Sequence, residues 1–299
     1  MDRSERDVPR RGATGGEHQT PVRYQEPSHG KTKTGYYWVY RSSDGILLYD
    51  WRPGRSHLHL DEILCHHRDT GHPAAFQGVL QSDGYAAYET YRRAAAARGQ
   101  IIELAACWVH ARRKFFDARD QSPRLVGFIL RQIGHLYAIE SRLRKARAGP
   151  ALRAATRASE GHPIYQRLGK IFRLLETRRG ILPKSSLGRA IRYTLELWPR
   201  LGLYLLDGRV EIDNNLVENA IRPTAIGKKN WLFIGRENSG WKSAIFFTLI
   251  ANCRHHGIDP HGYFKDVLER LPTTTNHNLG GLLPGNWNRQ GQPIRTAAS

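Results

Sequence analysis

A chain of 299 residues, 40% of them hydrophobic, is long enough to bury a sizeable core as one large domain or two smaller ones. Its 46 Lys plus Arg against 27 Asp plus Glu leave a formal charge of +19, which points to a polyanionic partner, nucleic acid first, while seven Trp and thirteen Tyr argue against a disordered basic tail. No apolar run approaches the roughly 20 residues of a membrane span, no signal-peptide core follows the N-terminus, and three scattered cysteines (Cys65, Cys107, Cys253) suggest a reducing cytosol rather than a disulfide framework.

Residues 1–17 are polar, rich in Arg and Gly and without periodicity, which reads as disorder. A short strand is expected near Val22–Tyr24, pairing with a hairpin whose strands are Tyr36–Tyr40 and Ile46–Tyr49 and whose turn is Ser43-Asp44-Gly45. Leu58–Cys65 has helical spacing and is broken by Gly71-His72-Pro73. Gly78–Gln81 reads as a fourth strand ending at Ser82-Asp83-Gly84, with Tyr85 and Tyr88 packing the helix that follows. Ile101–Cys107 is a fifth strand, opening into a helix from about His110 to Ala118. His57, His59, His66 and His67 read as surface histidines.

From about Ser122 to Leu206 the apolar residues recur at i, i+3, i+4 and i+7, the mark of amphipathic helices and core packing. Their outer faces carry Arg142, Arg144, Arg147, Arg153, Arg157, Arg178, Arg179, Arg189 and Arg192, with few acids to compensate them. Asp213, Asn214 and Asn215 are helix-starting residues, and Glu218 and Arg222 share one face of the helix they open. Pro223 is expected to keep that helix short, with Gly227, Lys228 and Lys229 following as a cation cluster beside the carboxylate. On the residues alone, Asn215 and Glu218 equally make a capping box. A helix is expected from Trp241 to His256, closed by Gly257, and another from Asp259 and Pro260, packed by Tyr263, Phe264, Val267 and Leu268.

Asp-Asn-Asn-x-x-Glu at 213–218, Ile-Arg-Pro at 221–223, Gly-Lys-Lys-Asn-Trp-Leu-Phe at 227–233 and Gly-Trp-Lys-Ser-Ala at 240–244 together resemble the third-acid region of the insertion-sequence-66 transposases. The stretch Leu-Gln-Ser-Asp-Gly-Tyr-Ala-Ala-Tyr at 80–88 is similar to the second-acid motif of that family, although Asp-Gly by itself is ordinary turn chemistry. Cys107-Trp-Val-His-Ala-Arg-Arg-Lys-Phe115 resembles a further family block. Its Cys-x-x-His is half of a zinc motif, and with no second pair nearby in sequence it is not read as a zinc site. The resemblance covers about Thr20 to Trp287.

Periodicity supports an α/β chain with a mixed sheet. The resemblance narrows this to a ribonuclease-H-like mixed sheet interrupted by an all-helical insertion, with C-terminal helices. It implies a first catalytic part at 18–120, the insertion at 121–208, a last catalytic part with the Glu218 helix at 209–250, and C-terminal helices and tail at 251–299. It also implies DNA cleavage and strand transfer, with Asp83 and Glu218 as catalytic metal ligands for two Mg²⁺ ions. Carboxylates suit that role because Mg²⁺ prefers hard oxygen ligands. Family members carry an Ala-Asp-Glu-Thr-Pro-Val type of sequence at the first acid; here Glu17-His18-Gln19-Thr20-Pro21-Val22 puts His18 in that place, and imidazole is a poor Mg²⁺ ligand. The resemblance therefore implies an N-terminally shortened and defective copy, or a catalytically silent DNA-binding remnant. Arg112, Arg113, Lys114, Arg222, Lys228 and Lys229 are the expected DNA-phosphate contacts, with simple solvation the alternative for the first three. The implied partners are transposon ends and target DNA, with a homo-oligomer open, in a prokaryotic cytoplasm and on the nucleoid when DNA is bound.

Overall fold

The computed structural model describes residues 13–14, 20–25, 32–64, 76–82 and 84–288. In chain order the strands and helices are β1 (Ala13–Thr14), β2 (Thr20–Gln25), β3 (Thr32–Ser42), β4 (Leu47–Arg52), α1 (His57–Leu64), β5 (Gly78–Ser82), α2 (Ala86–Ala97), β6 (Ile102–Ala106) and α3 (Trp108–Asp117). There follow α4 (Pro123–Lys145), α5 (Pro150–Thr156), a π-turn (Arg157–Gly161), α6 (His162–Glu176), α7 (Ser186–Glu196), α8 (Trp198–Leu206), α9 (Asn215–Trp231), α10 (Glu237–His255) and α11 (Pro260–Arg270). Among the described residues no helix is long and apolar enough to cross a membrane. The chain divides into two compact units, one of Met1–Glu17 with Arg55–Asn219, the other of His18–Gly54 with Ala220–Ser299.

The α/β class holds, but the strands are shared between small sheets. In the second unit β2, β3 and β4 form an antiparallel meander, with Thr20 opposite Tyr37 and Tyr37 opposite Trp51. Alternation along β2 buries Thr20, Val22 and Tyr24 and leaves the residues between them exposed. Helix α10 covers the free edge of β4. The Asn252 amide accepts from Leu47 N at 3.0 Å and donates to Leu47 O at 2.7 Å, and Thr248 Oγ1 accepts from Tyr49 N at 2.9 Å. Those side chains satisfy backbone groups that would otherwise template pairing with another chain.

Three expectations for this region need correction. Pro223 does not end its helix, because α9 continues to Trp231. A proline removes one N–H and crowds the preceding turn, yet the helix runs through it, with Tyr49 donating to Ala220 O and Thr224 Oγ1 to Ile221 O at 2.8 Å in the adjoining turn. Helix α10 starts at Glu237, four residues before Trp241, its opening turn masked in sequence by the weak helix formers Asn238 and Gly240. Leu268 is exposed, since the packed face of α11 is Tyr263 and Val267. The cap of α11 is as expected, Asp259 Oδ2 accepting from Gly262 N at 2.7 Å.

In the first unit β5 and β6 form a parallel pair, with Gly78 opposite Ile102 and Ser82 opposite Ala106. The amphipathic stretch from Ser122 to Leu206 forms α4–α8, and its stripes share one core with β5, β6 and α3. Val79, Ala105, Phe115, Ile129, Phe172 and Leu201 all belong to the same buried cluster. The arginine-rich outer face is thinner than composition implies. Arg157 is fully buried, bonded to both Glu140 oxygens at 2.7 Å and to the carbonyls of Tyr204, Asp207 and Val210 at 2.7–3.0 Å. Arg153 bridges Glu140 and Glu211, and Arg142 pairs with Glu160. Acids distant in sequence therefore neutralise cations that a helical wheel places on the solvent side. The expected disorder at 1–17 lies outside the described residues apart from β1.

Candidate active site

Parallel strands leave a crevice at their carboxyl ends, where each chain turns away. In the first unit that edge holds Ser82, which ends β5 opposite Ala106, and Cys107, which follows β6 and opens α3. Gly84 lies just beyond, at φ +92°, a backbone conformation that side chains other than glycine's resist. Asp83 and His18 lie outside the described residues.

The segment Glu211–Asn214 is strapped onto this edge. Gln81 Nε2 donates to Glu211 O at 2.7 Å, Trp108 N to Ile212 O at 3.1 Å, and Asn214 N to Cys107 Sγ at 3.4 Å. Arg153 holds the Glu211 carboxylate at 2.9 Å. Asp213 is buried and opens α9, accepting from Asn215 N at 3.0 Å and from Asn215 Nδ2 at 2.9 Å. Burial pushes its carboxyl above the usual range, opposed by that backbone bond and by the adjacent Tyr137 hydroxyl. The capping box of Asn215 and Glu218 does not form. Asn215 is already helical, and Glu218 N donates to Asn214 O at 2.9 Å.

The strap delivers Glu218, in the first turn of α9, to Cys107 and His110. One donor atom from each lies within 4.8 Å of the other two. Cys107 is buried, which pushes its thiol up to about 11. Three groups here lack hydrogen-bond partners among the described residues: His110 Nδ1, the Tyr137 hydroxyl, and both polar atoms of the Asn214 side chain, which is 2% exposed. Leaving a buried polar group unpaired costs about 1–3 kcal/mol. The Cys-x-x-His pair was visible in the sequence. Its third donor was not, because Glu218 reaches it only through the strap.

The remaining candidates separate by element. Arg112, Arg113 and Lys114 are exposed on α3, with Lys114 Nζ 5.3 Å from the Tyr193 ring centroid. Lys228 and Lys229 ride the last turn of α9, so the cations expected beside Glu218 sit at the other end of its helix. That arrangement suits the helix dipole at both ends. Lys228 Nζ donates to Pro21 O at 3.3 Å, and Arg222 and Lys229 are exposed.

A family model described as the IS66 family of transposases matches residues 18–241, and another described as the IS66 C-terminal element matches 248–284. The chain is also similar to uncharacterized proteins of Sinorhizobium fredii (strain NBRC 101917 / NGR234). It is 37% identical to y4jD over 219 residues, covering 72% of this chain and 42% of that relative. It is 35% identical to y4qI over 258 residues (82% and 45%) and 31% identical to y4hP over 273 residues (87% and 48%). The chain thus spans less than half the length of these curated relatives. No solved structure matches it.

Proposed function

Because the chain belongs to the IS66 transposase family, we propose that it is built for DNA cleavage and strand transfer on a ribonuclease-H-like core, and that His18 at the first-acid position leaves it defective. The observation that carries this reading is the strap, which holds Glu218 at the carboxyl edge of β5 and β6, where Asp83 follows Ser82 directly. A transposase of this family uses divalent metal, and Asp83 and Glu218 are the hard oxygen donors that would hold Mg²⁺. The donors described beside Glu218, a thiol and an imidazole, do not suit that ion, so its fit rests on the two carboxylates. When bound, such ions activate a water or a 3′-hydroxyl and stabilise the leaving oxygen.

The protein's own residues supply the rest. Gln81, Trp108 and Asn214 fix the backbone from which Glu218 projects, so the carboxylate needs little reorganisation to meet substrate. Arg112, Arg113 and Lys114 on α3, and Arg222, Lys228 and Lys229 on α9, contact phosphates and give affinity without sequence preference. Duplex DNA binding should then weaken with salt at a slope of roughly −0.9 per neutralised phosphate, and Arg112→Gln should remove about one such unit. Salt-indifferent binding would contradict the assignment.

The native chain is expected to join no transposon ends in Mg²⁺ or Mn²⁺. His18→Asp should gain non-specific, metal-dependent nicking that Asp83→Ala or Glu218→Gln removes. Native protein that joins ends in Mg²⁺, with Asp83→Ala abolishing the reaction, would overturn the claim of a defect. The second reading, a silent DNA-binding remnant, is favoured by His18 itself, and a His18→Asp variant that binds DNA but never nicks it would establish that reading.

A further inference from the structure

We propose that Cys107, His110 and Glu218 bind a thiophilic divalent cation of the zinc class, with water completing the coordination. The proposal stands on these three donors and is independent of the DNA chemistry above, although it draws on the same carboxylate.

Cys107 sits at the junction of β6 and α3, and His110 lies in the first turn of α3, so a spacing of three puts sulfur and imidazole on one side of the helix start. Glu218 arrives from the first turn of α9, and the three donor atoms lie within 4.8 Å of one another. Bonds of about 2.0–2.3 Å around a tetrahedral ion bring ligands closer than that, so binding needs side-chain rotations on the order of 1 Å and no backbone change. The backbone is already fixed, since Asn214 N holds the Cys107 sulfur and Trp108 N holds Ile212 O.

A second, independent observation points to a ligand. His110 Nδ1 is buried without a hydrogen-bond partner among the described residues, as is the whole Asn214 side-chain amide, whose own backbone N–H is on the sulfur. A ring nitrogen left unpaired beside a thiol and a carboxylate is matched by a cation. The amide fits the outer-shell role of orienting a ligand or a metal-bound water. Cys107 is almost fully buried, while His110 and Glu218 are partly exposed, so the centre opens to solvent on one side, where a fourth ligand can enter. One sulfur, one nitrogen and one oxygen select zinc, cobalt or cadmium over magnesium. Binding releases the thiol proton to solvent, and no oxidation or reduction is involved.

The test uses the full chain, reduced and stripped with a chelator, then titrated with Co²⁺, whose thiolate charge-transfer absorption reports sulfur ligation. One equivalent should develop the band, Zn²⁺ should displace it, and excess Mg²⁺ should not. Cys107→Ser should abolish it, and His110→Gln and Glu218→Gln should each weaken Co²⁺ binding by at least the roughly 10–100-fold seen for outer-shell changes. Cys65→Ser and Cys253→Ser should leave it intact. If Cys107→Ser does not fold, the His110 and Glu218 variants decide. No band in the native protein, a band that survives Cys107→Ser, or a band indifferent to His110→Gln or to Glu218→Gln would overturn the proposal. None of these readouts depends on DNA cleavage, so failure here leaves the transposase reading standing, and the reverse also holds.

Discussion

The two compact units bury their polar groups by different means. In the unit of Arg55–Asn219 the interior holds a complete ion pair, Arg157 with Glu140, both 1% exposed at the side chain and fully hydrogen-bonded. In the unit of β2–β4 and α10 no ion pair among the described residues is buried as deeply. Its interior is a set of rings, with Tyr37 5.0 Å from Trp51 edge-to-face and Tyr49 5.5 Å from Phe247 stacked. Ring pairs pack the first unit too, Phe115 on Phe172 and Tyr165 on Trp198, so what sets the units apart is the buried charge.

Breaking the charge should have the largest effect. Arg157→Leu leaves Glu140 without its main partner and takes a donor from three carbonyls, of which Asp207 O keeps a second one, from Val210 N. Removing one member of a buried pair costs about 3–5 kcal/mol. Urea unfolding measures the loss, and amide exchange should place it in α4 and α6 while β3 keeps its protection. The double change Arg157→Met with Glu140→Leu should recover much of it, since apolar replacement of a whole buried pair is often neutral. Equal loss of protection in β3 would erase the contrast between the units.

Breaking the ring packing comes next. A Cβ on Gly240 would overlap the Trp51 ring, so Gly240→Ala should cost about 1–3 kcal/mol as an overpacked core does. Protection should fall in β4 and α10, with α4 unaffected.

Acid gives the smallest and most graded separation. Burial by itself would raise the Glu140 carboxyl, but the hydrogen bonds and charges of Arg157 and Arg153 hold it below its usual value. Glu89 is held down to about 2 by hydrogen bonds from Arg92 and then Arg93, and by the charge of Arg200. A carboxyl depressed in the folded state contributes stability that is full above its unfolded value near 4.5 and lost as pH falls through its folded value. The helical unit should therefore begin to lose amide protection below about pH 4.5 and continue toward about 2. In the other unit Asp44 is held low chiefly by the Ser42 hydroxyl, in an exposed turn. Strand amides of β3 that exchange before those of α4 on acidification would refute the ordering.

Much of this was legible in the residues. The hairpin, β5, β6, the amphipathic helices and the Asp259 cap follow from local periodicity and turn chemistry, which need no knowledge of distant partners. The length of α9 was not legible, because a proline in mid-pattern is ordinarily a stop and here the helix runs through Pro223 to Trp231. Nor was the burial of Arg157, whose acceptors lie at residues 140, 204, 207 and 210. In the candidate site, Glu218 could be named from its motif and Cys107 with His110 from their spacing. Their meeting depends on Gln81 and Trp108 holding the Glu211–Asn214 backbone, a contact that no local pattern encodes.

The π-turn at Arg157–Gly161 has a consequence for which mutations this chain can absorb. Such a turn is a helix carrying one residue more than the α repeat allows. The turn absorbs that extra residue locally, so the helical faces before and after it stay in phase. Removing Ser159 would return the segment to the regular repeat with Leu168 and Phe172 still on the buried face of α6. Removing a residue from α6 itself has no such outlet, because each residue of an α-helix accounts for about 100° of rotation and everything on one side of the cut would leave its face. A single-codon deletion should therefore be absorbed within the turn and not in the helix that follows it.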